Sequence, residues 1–394
     1  MDNGNTKMLN DMKELQKKIF DRLSSKQSLA RNLIYLIIAI IVVLLTSYIL
    51  NKIALKDESC NEMKKTLTGS DYEPDDLGSE FKPNETYNDD DPIVKEESYW
   101  NGEPVMLRNY NIKSSYNSCC ANLYKNGWVS ECALREVITQ GCRFLDFEVY
   151  SYKGKPVVGV STKVNDYYMK ECYNYIPIGN VFDTIKNRAF TENDCAGTNK
   201  QPLIINLRFK TNNKDVLDDV AKSLKNSFNN KLLNSCDSIY NYRSTVIPEP
   251  VTGYNNFGTI GIDRIKGKVI LFTDLTDELI LQTNKLRNRI NMSSKSNSRP
   301  HLKVYRYTEI IGKTKAENDW QNNMIICLPD LSNMCQPMDY NKVNGVSGTK
   351  GDWDNDPATE DTHVNLGIQI FANCFQSKSV ELQEYIEYFN DEES

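Results

Sequence analysis

The sequence predicts an α/β protein, a TIM-type (β/α)₈ barrel behind an N-terminal transmembrane helix and a disordered acidic stalk. Three observations carry this expectation. An uncharged apolar run near the N-terminus is long enough to cross a bilayer, a segment dense in Asp and Glu follows it, and the rest of the chain alternates strand-like with helical patterns. The implied division is 1–32 as a tail, 33–54 as a membrane helix, 55–97 as a linker and 98–394 as the barrel.

The tail comes first. Met8, Met12, Leu15, Ile19 and Leu23 recur at spacings of three and four, so residues 7–24 read as a short amphipathic helix. Its apolar stripe suits a membrane surface or another chain, and a frayed, solvated helix fits equally well. From Leu33 to Leu50 no residue is charged. At about 1.5 Å per residue this run nearly crosses a hydrocarbon core of roughly 30 Å, and residues 51–54 complete it, with Lys52 snorkelling. A signal peptide would lie nearer Met1 and be shorter. Six Lys/Arg occupy the twenty residues before the run and four the twenty after it, a bias toward a cytoplasmic N-terminus. The barrel would then face a lumen, the cell exterior or a virion surface, where Asn84 and Asn291 stand in glycosylation sequons and the eleven cysteines are free to pair.

The net charge of −6 is unevenly spread: residues 56–97 hold fourteen Asp/Glu against five Lys/Arg. Such a segment buries too little surface to offset its ordering entropy, which makes it a self-repelling spacer or simply a linker. No run of Lys/Arg interleaved with aromatics occurs beyond it, so a nucleic-acid partner is not expected.

Eight short runs rich in β-branched or aromatic residues follow, at 105–112, 143–149, 156–160, 203–209, 269–273, 302–307, 324–328 and 367–374. Helical patterns at 131–139, 181–189, 216–233, 275–290 and 380–389 separate several of them and close the chain. Eight strands suit a closed parallel barrel, with reactive groups at the strands' C-terminal ends. The open-sheet rival lacks a glycine-rich phosphate loop after an early strand; Gly258 to Gly261 is the nearest approach.

Within this pattern Lys113-Ser114-Ser115-Tyr116-Asn117-Ser118, Gly141-Cys142-Arg143-Phe144-Leu145-Asp146-Phe147-Glu148, the strand 156–160 and the strand 202–207 fall in the order and spacing of four motifs. The set resembles the X region of phosphatidylinositol-specific phospholipases C, where they run S-S-H-N-T, G-C-R-x-L-E-L-D, P-V-V-x-H-G and P-V-I-L-S-L-E. Residues 182–190 and 367–376 are similar to a later helix and to the last barrel strand of that family. The resemblance implies a PLC-like phosphodiesterase barrel over about residues 104–390.

It also implies what has been lost. Two histidines manage proton transfer in the family, and their positions here are Tyr116 and Val160. A phenol titrating near 10 is a poor base at neutral pH, and valine carries no proton. The remaining histidines, His301 and His363, match no motif. Of the family's calcium ligands Asn117, Asp146 and Glu148 are kept, the two carboxylates at i and i+2 on one strand face, while the fourth position is Arg208. A guanidinium there would neutralise the carboxylates, so a salt-bridged, metal-free pocket is expected and calcium is not. The family's phosphate-binding lysine positions are Phe272 and Asp274. Asp352, Asp354, Asp356, Glu360 and Asp361 form an acidic loop without the spacing of a known calcium loop.

The expected function is that of a single-pass membrane pseudoenzyme, a barrel binding a lipid headgroup or a protein. The alternatives are a diverged phosphoric diester hydrolase using Tyr116, Asp146, Glu148 and Arg208, and a structural membrane or virion ectodomain.

Overall fold

The computed structural model describes residues 3–68, 81–83, 99–100, 103–104, 106–162, 171–190, 200–233, 257–311, 313, 322–332, 334–340, 343 and 367–390. The chain divides into two compact units, Met1–Glu58 and Ser59–Ser394. Asn84, His363 and the acidic loop lie outside the described residues, as does most of 69–97.

The first unit is helix from Asn3 onward, the beginning of α1 (Asn3–Thr68). Between Gly4 and Gly69 the sequence has no glycine or proline, so nothing interrupts the turns. The amphipathic segment and the apolar run are therefore one helix. Met12, Leu15 and Ile19 are exposed along it, as are the side chains of the apolar run. By length and composition this helix can cross a membrane.

The second unit begins within the same helix. Residues 55–68, expected to be unstructured, are helical, and Cys60, Met63 and Leu67 are buried at i, i+3 and i+7 on one face. A cross-link and side-chain hydrogen bonds fix this end to the barrel. Cys60 is disulfide-bonded to Cys132, Asn122 Nδ2 donates to Ser59 Oγ at 2.8 Å, and Gln140 Nε2 donates to the Leu67 carbonyl at 3.1 Å. The linker composition misled because its acidic residues lie mostly beyond Thr68.

In chain order the strands are β1 Phe81–Pro83, β2 Tyr99–Trp100, β3 Glu103–Pro104, β4 Tyr110–Ser115, β5 Phe144–Tyr152, β6 Lys155–Gly159, β7 Ile176–Pro177, β8 Leu203–Phe209, β9 Val269–Thr273, β10 Met292–Ser293, β11 Leu302–Arg306, β12 Met324–Leu328 and β13 Ile370–Asn373. The helices after α1 are α2 Glu131–Thr139, α3 Ile178–Ala189, α4 Lys214–Phe228, α5 Asp277–Gln282, α6 Tyr307–Ile310 and α7 Val380–Asn390. Eight strands run parallel in the order β10-β9-β8-β5-β4-β13-β12-β11, a nearly closed barrel. Strand β1 adds antiparallel to β4, and β2 pairs with β3 as a separate ribbon.

The expected strand at 156–160 is a correction. As β6 it folds back on β5 in an antiparallel hairpin through Lys153 and Gly154, both at positive φ, and β7 extends the ribbon. The eighth barrel strand is instead the two-residue β10, too short to show a pattern. It forms beside Asn291, whose Oδ1 accepts the Leu271 N–H at 2.8 Å and which is buried, so the sequon there cannot carry a glycan in the folded barrel. The pattern at 275–290 is also shorter: α5 starts at the Thr276 cap and stops before Thr283, whose hydroxyl bonds the Ile280 carbonyl.

Burial explains one motif without chemistry. Arg143 is almost wholly enclosed and donates to the carbonyls of Pro202, Ala189 and Gln201, so it ties the start of β5 to the chain entering β8. Gly258 falls in a turn whose Ile260 carbonyl accepts the Leu107 N–H, a closure at the chain's entry to the barrel and not a phosphate loop.

Candidate functional site

The alternation of β5 aims Asp146 and Glu148 to one side, and the parallel register with β8 sets Asn206 against Asp146 and Arg208 against Glu148. Arg208 fills the space between the two carboxylates. Its Nη2 and Nε bond Asp146 at 2.7 and 2.9 Å, its Nη1 bonds Glu148 at 2.8 Å, and Nη2 also bonds Asn117 Oδ1 at 2.8 Å. Asn206 Nδ2 donates to Asp146 at 2.8 Å and the Tyr150 hydroxyl to Glu148 at 2.6 Å. The sequence expectation named four of these six residues; Asn206 and Tyr150 follow from the same i, i+2 rule applied one step further along each strand.

Asn117 sits at φ 46°, in the left-handed region that Asn tolerates better than most residues. This turn points its backbone N–H at Asp146 Oδ2, 3.1 Å away, and Ser118 Oγ accepts the Asp146 N–H. Tyr116, next to it, meets two guanidinium groups: Arg208 is 4.6 Å and Arg306 5.9 Å from the ring centroid, Arg306 Nη1 donates to the Tyr116 hydroxyl at 3.4 Å, and Tyr124 meets the ring edge-on. Arg306, at the end of β11, gave no sign of this role in the sequence.

The centre is a sealed, salt-bridged knot. Asp146 is 0% and Glu148 1% exposed, Arg208 7%, Tyr116 2% and Val160 1%. The carboxylates and the ring beneath hold Arg208 more firmly in its charged form, against the opposing effect of burial. Burial and the adjacent Glu148 push the Tyr150 hydroxyl well above its ordinary range. The oxygens that the resemblance assigns to a divalent cation face the Arg208 guanidinium instead, a positive charge in the same space. Among the described residues no group of three or more His, Cys, Asp or Glu side chains is placed to share a metal.

The other sequence candidates lie elsewhere. Phe272 is fully buried with its ring edge-on to Phe257, so it packs the interior and presents no wall to a headgroup. His301 precedes β11 at the N-terminal end of the barrel, near the Asn322 carbonyl and away from the C-terminal mouth. Asp274 borders a 360 Å³ cavity walled in part by Phe209, Glu278 and Lys295. Its Oδ1 accepts the Phe209 N–H at 2.8 Å, and Lys295 stands 4.0 Å from Oδ2.

Burial raises the Asp274 carboxyl pKa above 3.8, opposed by Lys295. A raised folded pKa means that its contribution to stability is full below pH 3.8 and is lost as pH rises through the folded value. Asp274→Asn keeps an acceptor for Phe209 without the charge. Its thermal midpoint should exceed that of the wild type at pH 7 and match it below pH 3.8. A variant no more stable at pH 7 would show that the carboxylate ionises there without penalty.

The nearly closed parallel barrel matches the TIM-type fold of phosphatidylinositol-specific phospholipases C. Residues 105–255 match the family model described as phosphatidylinositol-specific phospholipase C, X domain, and the chain carries a PI-PLC-like barrel. Among solved structures, S. officinalis PLC21 superposes with a TM-score of 0.50 at 15% identity, covering 73% of this chain and 36% of that one. L. pealei PLC21 gives 0.48 at 16%, with the same coverage. A calcium-dependent phosphoinositol-specific phospholipase C from a Pseudomonas sp. gives 0.41 at 12%, covering 70% and 91%. At such identities the likeness speaks for the fold alone, and this chain spans about a third of the first two proteins. No curated protein matches the sequence.

Proposed function

We propose that this chain is a membrane-anchored PI-PLC-like barrel that does not hydrolyse phosphodiesters and serves as a binding or display module. One observation carries the reading: Tyr116 and Val160 stand buried at the positions that the resemblance assigns to the two proton-transferring histidines. Arg208, which bridges Asp146, Glu148 and Asn117 where the resemblance places calcium, adds to it, although an arginine there would not by itself abolish hydrolysis. Each acid–base group supplies about 10² to 10⁴ in rate, so losing both removes most of the chemistry. Anchoring rests on the apolar helix. The disulfides Cys60–Cys132 and Cys335–Cys374 fit a barrel on the oxidising side, lumenal, extracellular or on a virion, in agreement with the charge bias across the span.

The test uses the full chain in detergent micelles with phosphatidylinositol, in calcium and in chelator. No turnover is expected under either condition, and calcium should leave the thermal midpoint unchanged, since a ligand shifts it only by binding the native state. Multiple turnovers that Tyr116→Phe abolishes would overturn the proposal in favour of a diverged hydrolase.

A further inference from the structure

A second cleft, of 520 Å³, shares no residue with the Arg208 centre. It lies between the β5–β6 hairpin, the start of α3 and the flank of α4, and its volume falls in the range of roughly 300–1,000 Å³ usual for ligand sites. Two tyrosines stand at its edge. The rings of Tyr152 and Tyr175 are 4.5 Å apart, tilted by 37°, and 40% and 37% exposed. Exposed paired rings are costly to leave in water and suit a ligand with apolar faces and polar edges.

Charge narrows the ligand. Lys153, Lys155 and Lys222 line the cleft against a single carboxylate, Asp219, in a chain whose net charge is −6. Lys153 Nζ hangs 5.4 Å over the Tyr152 ring, and Lys155 pairs with Asp219 at 3.1 Å. The cations of the lining are all lysines, mobile point charges that suit anionic groups spaced along a flexible chain. Asn226 and Asp219 supply neutral and anionic partners for hydroxyl groups.

We propose that this cleft binds a sulphated polysaccharide. Sugar rings would lie against Tyr152 and Tyr175, hydroxyls on Asp219 and Asn226, and sulphates on Lys153, Lys155 and Lys222. The site is independent of whether the barrel is a hydrolase.

The test is calorimetric titration of the full chain in detergent micelles with a heparin hexasaccharide and with its desulphated counterpart. Only the sulphated sugar should bind. Tyr152→Ala with Tyr175→Ala should weaken it at least ten-fold, and Lys153→Ser with Lys222→Ser should weaken it and flatten its salt dependence. All four side chains are exposed, so an unchanged thermal midpoint serves as the control. No binding by the wild type would overturn the proposal. So would tyrosine variants that bind as tightly as the wild type, which would mark a mere charge patch, or displacement of the sugar by phosphatidylserine mixed into the micelles, which would mark a lipid-facing surface.

Discussion

Arg208→Ala will destabilise the barrel by ~3–5 kcal/mol, the usual consequence of removing one partner from a buried ion pair. Asp146 and Glu148 have almost no exposed surface, so water cannot replace the guanidinium, and Asn117 and Tyr116 lose the group that orders them. For a domain of this size the thermal midpoint should fall by on the order of 10 °C. Arg208→Lys should recover only part, because one ammonium cannot bridge three acceptors that the guanidinium reaches at 2.7–2.8 Å through two nitrogens set apart by its planar fork. Arg208→Glu restores the four-oxygen set that the resemblance assigns to calcium. It should be less stable than Arg208→Ala in chelator and regain stability as calcium is added, whereas the wild type should not respond. An Arg208→Ala midpoint within a degree or two of the wild type would mean that the carboxylates are solvated, contrary to their burial.

How much of this was legible depends on which residues hold the structure up. The i, i+2 spacing put Asp146 and Glu148 on one face of β5, and the resemblance assigned Arg208 to the same site, so the ion pair could be anticipated from the two together; the parallel register of β5 with β8 is what brings them into contact. The role of Arg306 was not legible, since it reaches Tyr116 from 190 residues away through tertiary packing, and that of Tyr124 was not because it comes from the irregular loop after β4, where no periodicity fixes an edge-on contact. The misassigned strand has a similar cause. Residues 156–160 are as apolar and β-branched as a barrel strand, and only the tight Lys153–Gly154 turn, which makes the pairing antiparallel, separates the two readings. Conversely β10 has two residues and no pattern, and its place is set by the ladder to β9 and the Asn291 side chain. Composition failed at the boundary because three buried residues of α1, spaced along one face, are hidden in a segment whose average is acidic.

Cys60→Ser, which cuts the disulfide to Cys132, is expected to lower the stability of the barrel unit by about 4 kcal/mol, the loop-closure entropy returned to the unfolded chain by a separation of 72 residues. The loss concerns the barrel itself, because the cysteine belongs to the helical stub that it buries. Met63 and Leu67 pack into the same core, and Gln140 relies on the Leu67 carbonyl for a hydrogen bond. A chain beginning at residue 98 should therefore be less stable than Cys60→Ser: it loses the cross-link, leaves the surface covered by Met63 and Leu67 open, and strands the Gln140 amide, each apolar side chain contributing about 1.5–3 kcal/mol. Denaturant titration of the wild type, Cys60→Ser and the shortened chain ranks the three. Equal midpoints for the wild type and Cys60→Ser would show that the cross-link does not constrain the unfolded chain. A shortened barrel as stable as Cys60→Ser would place the domain boundary back at the acidic segment and make the stub a passenger.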